Sequence, residues 1–136
     1  MTSTLSTKQW FHVAETDLVT AKLTLANTYP KLLDISCFHC QQAAEKALKG
    51  YLQYKDQDPP RRHDLEELCR LCMDMDPSFG ALMDTVLILN PYGVASRYPA
   101  ESLIDEGMTQ TAIVQAQAVY DFALSKISKL KIDGAL

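Results

Sequence analysis

Four cysteines fall in two C-x-x-C pairs, Cys37-Phe38-His39-Cys40 and Cys69-Arg70-Leu71-Cys72. Four thiolates at such spacing can hold zinc tetrahedrally. Both pairs, however, lie within helical periodicity and on apolar stripes, and neither has the glycine or proline turn that curls a zinc knuckle around its metal. The spacing therefore predicts core thiols, with structural zinc as the lesser alternative. A redox role fits less well, because reactive C-x-x-C pairs sit at helix N-termini, where the dipole lowers the thiol pKa. The histidines, His12, His39 and His63, share no metal-ligand spacing.

His63 follows Arg61 and Arg62 and precedes Asp64, the expected cap of a helix. Guanidinium groups beside a helix N-terminus make a natural phosphate site. The competing interpretation is a solvated capping turn. Gln41, Gln42, Glu45, Lys46 and Lys49 form the densest polar stretch, which in isolation is a solvent face carrying the i,i+4 ion pair Glu45–Lys49. Arg97-Tyr98-Pro99 offers either an anion ligand or a loop clasp. There is no glycine-rich phosphate loop, no G-x-S-x-G elbow and no H-E-x-x-H, and no cofactor is expected.

The elements that must position these residues read as helices. Ser6-Thr7-Lys8-Gln9 is a capping-box pattern, followed by Trp10, Ala14, Leu18, Ala21 and Leu25 at steps of three or four. Asn27 and Tyr29-Pro30 end that helix. A second should span about Leu33 to Tyr54, burying Cys37, Cys40, Ala44, Ala47, Leu48, Tyr51 and Leu52. Asp56 to Pro60 breaks the chain, and Asp64-x-x-Glu67 starts a third helix with Leu65, Leu68, Leu71 and Cys72 on one face. Pro77 stops and restarts it, and Phe79, Leu82, Met83, Val86 and Leu89 continue. Asn90 to Gly107 shows no period and is expected to be a long irregular loop. A last helix runs from about Thr109 to Leu130 with Ala112, Gln115 or Ala116, Val119, Phe122 or Ala123, Lys126 and Ile127 inward, and the tail from Lys131 to Leu136 frays. The predicted fold is all-α, an up-and-down four-helix bundle with one helix broken near Pro77, forming a single domain over residues 1–136.

Size and charge fit this plan. One core is what 136 residues with 47% apolar content support. A net charge of -4 speaks against a broad basic face wrapped around a nucleic acid, but leaves room for a small local site. No apolar run reaches the ~18 residues of a membrane span, and Met1 to Gln9 lacks the apolar stretch of a secretory signal. With free thiols, the expected setting is cytoplasmic.

In order along the chain, Trp10 through Ala14, Asp17-Leu18 and Ala21, then Cys37-Phe38-His39-Cys40-Gln41-Gln42-Ala43-Ala44-Glu45-Lys46-Ala47-Leu48-Lys49, then His63-Asp64-Leu65 with Leu68, and finally Arg97-Tyr98-Pro99 resemble the HEPN domain family. The resemblance implies a small helical bundle that forms a homodimer, with polar second-helix residues near a cleft or the subunit interface. It also implies a possible minimal nucleotidyltransferase partner in a toxin–antitoxin pair. Catalytic members are metal-independent ribonucleases with an arginine followed four to six residues later by histidine. After Arg61, Arg62, Arg70 and Arg97 no histidine stands at that spacing.

The expectation is a non-catalytic module that binds a nucleotide, an RNA or a protein partner through Gln42, Glu45, Lys46, Lys49, Arg62, His63, Arg97 and Tyr98. The basic side chains would hold phosphates, Tyr98 would stack on a base, and Gln42 would bond a base edge or ribose. The alternative is a metal-independent ribonuclease with an atypical site made of His63 and Arg61 or Arg62.

Overall fold

The computed structural model describes residues 5–95 and 103–127. It contains helices α1 (Thr7–Asn27), α2 (Leu33–Tyr54), α3 (Leu65–Met75), α4 (Met83–Leu89), α5 (Tyr92–Ala95) and α6 (Glu106–Ser125), with a 3-10 segment, Pro77–Leu82, between α3 and α4. No strand occurs among the described residues.

Local chemistry sets most boundaries. The Ser6 hydroxyl accepts from the Gln9 amide at 3.2 Å and the Gln9 side chain accepts from the Ser6 amide at 2.8 Å, a complete capping box. Asp64 caps α3, and Asp76 caps the 3-10 segment with Pro77 in its first turn. Two boundary expectations need correction. The stretch from Asn90 to Gly107 is not uniformly irregular: Tyr92–Ala95 forms one helical turn. The last helix begins at Glu106 rather than Thr109, because the Asp105 carboxylate accepts from the Met108 amide at 2.7 Å and supplies the cap. That helix ends at Ser125, and its expected last residues, 128–130, lie outside the described residues together with the tail.

α2 is the central rod. α1 and α6 pack along it, and α3, α4 and α5 also touch it. The expected stripe of Cys37, Cys40, Ala44, Ala47, Leu48, Tyr51 and Leu52 is buried, and Phe79 wedges between Tyr51 and Phe122, with ring centroids 4.4 and 5.0 Å away. Gly50 lets α1 come close. A Cβ there would stand 2.7 Å from Cε2 of the Phe11 ring and 3.1 Å from Cβ of Trp10, so no other residue fits without displacing what α1 packs there. Lys126, expected inward, lies at the rim with its ammonium 3.6 Å from Asp76 and over the Phe122 ring.

Candidate functional site

A helix touched on nearly every side must bury whatever polar residues its sequence contains. Gln41, Glu45 and Lys49, one turn apart on α2, are 1%, 0% and 4% exposed. The solvent-face expectation for this stretch is therefore wrong at those three positions, and holds only partly for Gln42 and Lys46, which are half-buried. The ion pair itself is present: Lys49 Nζ donates to Glu45 Oε2 at 3.1 Å. Behind it the Trp10 ring lies 5.6 Å from the ammonium. A buried pair of this kind is costly to desolvate and tolerates the loss of neither member.

The buried carboxylate reaches outward to Gln42, whose Nε2 donates to Glu45 Oε1 at 3.4 Å, and more closely to His63. Both Glu45 oxygens lie 3.0 Å from Nδ1 of His63, whose side chain is 72% exposed. Engaging Nδ1 leaves Nε2 as the ring's outward-facing nitrogen. The backbone here is held too, since Gln41 Nε2 donates to the His63 carbonyl at 3.0 Å.

The start of α3 is a satisfied capping turn rather than an open phosphate cradle. The Asp64 carboxylate accepts from the Glu66 amide and from Asn90 Nδ2, each at 3.0 Å, while Asn90 Oδ1 accepts from the Leu65 amide at 2.9 Å. Arg62 is clasped by Glu67 through two bonds, Nε donating to Oε1 at 2.8 Å and NH2 to Oε2. That hydrogen-bonded charge pair raises the Arg62 pKa and holds the Glu67 carboxyl below its ordinary value.

Around His63 opens a cleft of about 400 Å³ lined by Phe38, Gln41, Gln42, Arg62, His63, Asp64, Asn90, Gly93 and Val94. Of the residues singled out from sequence, Gln42, Arg62 and His63 line it. Glu45 stands directly behind His63, and Lys46 donates to Gln42 Oε1 at 2.9 Å. Gln42 Nε2 meanwhile donates to Gln41 Oε1 at 2.8 Å, so both ends of this amide are engaged. Lys49 is sealed against Glu45 and Trp10 and does not line the cleft. Arg97 and Tyr98 lie outside the described residues.

Sequence reasoning missed Phe38, Gln41, Asn90, Gly93 and Val94 as lining residues, and took Asp64 only as a helix cap. For Gln41 a signal existed: apolar residues cover α2 on more than one face, the mark of a surrounded helix, so its i,i+4 polar strip had to face inward.

A second carboxylate–imidazole pair, also unforeseen, lies in the seam between α1 and α2. His39 Nδ1 is 2.9 Å from Asp17 Oδ1, and Lys46 Nζ is 3.7 Å from Asp17 Oδ2.

The four cysteines are free and buried. Cys37 Sγ faces the Thr109 hydroxyl at 3.4 Å, Cys69 Sγ the Phe79 carbonyl at 3.4 Å, and Cys72 Sγ the Leu48 carbonyl at 3.6 Å. Burial pushes every thiol pKa up, that of Cys40 to about 12. Among the described residues no cluster of three or more His, Cys, Asp or Glu side chains is arranged to hold a metal ion, and no helix is long and apolar enough to cross a membrane.

The HEPN domain profile matches residues 7–127 of the chain. Two solved structures are similar to it. A protein from Thermus thermophilus is 26% identical with a TM-score of 0.73, the match covering 89% of this chain and 98% of that one. An archaeal HEPN homologue is 23% identical with a TM-score of 0.69, covering 91% and 99%. No curated protein matches.

Proposed function

The chain belongs to the HEPN domain family, and on that premise we propose that it is a non-catalytic module binding a nucleotide or a short RNA end in the cleft around His63. The observation that carries this reading is the His63 imidazole, presented to the cleft by a wholly buried carboxylate. Nε2 is then free to accept from a ribose hydroxyl, or in the imidazolium form to donate to a phosphate oxygen, and the Phe38 ring on the same wall offers an apolar face to a base. Arg62 keeps guanidinium N–H groups beyond those given to Glu67. With Asp64 and Glu67 close by, the local charge is nearly balanced, which suits one phosphate better than a run of them. Titrating the protein with ATP, GTP and a short RNA should show saturable binding that His63→Ala weakens. Absence of binding to all three removes the nucleotide reading.

One feature favours the ribonuclease alternative. A carboxylate on Nδ1 is the arrangement that orients an imidazole for general acid–base work. Against it, the chain lacks the family's arginine–histidine spacing. Cleavage of structured RNA that His63→Ala and Glu45→Gln both abolish would establish it.

The proposal includes association. Leu87 and Ile88 on α4 and Val94 at the cleft edge are exposed, apolar groups suited to a homodimer contact or to a minimal nucleotidyltransferase within a toxin–antitoxin pair. Mass measurement in solution, and copurification with the product of a neighbouring nucleotidyltransferase gene, test these two partners. The free thiols suit a reducing, cytoplasmic setting.

A further inference from the structure

His63 occupies the non-helical stretch between α2 and α3, so nothing in its own backbone fixes where its ring points. Two tethers from successive turns of α2 do so, Glu45 on the ring and Gln41 on the carbonyl. We infer that Gln41, seated under Gly93 of α5, is the positioning residue of His63, and that through it α5 sets the presentation of the imidazole.

The geometry is specific. A Cβ on Gly93 would lie 3.1, 3.2 and 3.3 Å from Cδ, Nε2 and Oε1 of Gln41. The space a methyl would need is thus filled by the carboxamide itself. Gln41 cannot retreat easily, because it is 1% exposed and its Oε1 holds Gln42 Nε2 at 2.8 Å. Any side chain at position 93 must press on the amide that donates to His63. Removing that donor strands the His63 carbonyl and lets the stretch slide, after which Nδ1 no longer stays between the two Glu45 oxygens. Glu45 thus fixes the ring's tautomer while Gln41 fixes its place, and α5 acts on the second.

The assignment rests on His63 being the group that meets the ligand, but its first readout needs no ligand. Ring 15N spectra recorded where the imidazole is neutral report the tautomer. The full-length protein should hold His63 as the Nδ1–H form, and Gln41→Met and Gly93→Ala should each shift it toward Nε2–H while leaving His39 unchanged. Gln41→Glu, similar in shape but unable to donate when ionised, should behave as Gln41→Met does. Because both positions act through one hydrogen bond, Gly93→Ala combined with Gln41→Met should shift the tautomer no further than Gln41→Met alone. An unchanged tautomer in Gln41→Met, or additive effects in the double variant, overturns the inference. In ATP titrations the same variants should weaken binding about fivefold. Tautomer shifts without any ATP, GTP or RNA binding in the parent protein would sink the nucleotide reading and leave the positioning role standing. Urea midpoints within a few tenths of molar of the parent's should separate misplacement from unfolding; a tautomer shift seen only in a variant that has lost its fold counts against the inference.

Discussion

His39 and His63 are both held by a carboxylate at Nδ1, yet the two pairs stand in opposite surroundings. His39 and Asp17 are 27% and 14% exposed in a seam between two long helices, with Lys46 alongside. His63 is 72% exposed and its carboxylate 1%, with Lys49 sealed beneath. One pair joins helix to helix and uses its polarity for packing. The other commits a buried ion pair to holding a single ring in the open. The same two residue types are therefore a clasp in one place and a display in the other, and what separates them is where the exposure falls within the pair.

The largest expected effect breaks the support under the display. Lys49→Met leaves Glu45 buried without its cation and should cost about 3 kcal/mol or more in urea unfolding. A loss below ~1 kcal/mol would mean that water reaches the strip, and the contrast with the clasp would collapse. Next, Asp17→Ala strips His39 of its acceptor and Lys46 of its ion-pair partner and should cost about 1–2 kcal/mol, with no change in ligand affinity. His63→Ala reverses that signature. Unfolding should move by no more than ~0.5 kcal/mol, as for other exposed side chains, while binding to the cleft falls. Equal destabilisation by His39→Ala and His63→Ala would erase the distinction between the pairs.

Two smaller effects sharpen it. The thiols on α2 lie on its packed face, and Cys40, raised to about 12 by burial, carries essentially no thiolate at pH 8. Native protein should resist alkylation at that pH, and all four cysteines should react in denaturant. The slightest effect is at Glu67, whose carboxyl is held low by the Arg62 hydrogen bond. A group with a lowered folded pKa adds stability that is complete above the ordinary carboxylate pKa and fades as pH falls through the lowered value. Between pH 5 and 3 the parent should therefore lose slightly more urea resistance than Glu67→Gln does.

Much of the fold was legible because helix signals are local. The capping box at Ser6, the stop at Pro77 and the thiol stripe each depend on residues within one or two turns. The start of α6 was displaced because Gly107 reads as a breaker, whereas the Asp105 cap tolerates it in the first turn. The cleft was legible only in pieces. His63 and Arg62 stood out as charged neighbours of a helix start, but the inward turn of Gln41, Glu45 and Lys49 depends on how many other helices crowd α2. Gly93 bears on Gln41 across roughly fifty residues of sequence, and no periodicity carries such a contact.

The missing methyl at position 50 has a reach of its own. With the Phe11 ring and Trp10 Cβ filling that notch, α1 is pinned against sliding along its neighbour, much as a key stops a shaft from slipping in its collar. Asp17, two turns further along the same rod, inherits that alignment and meets His39 in register. Swelling the notch would be felt there as an axial slip, far from the atom that was added.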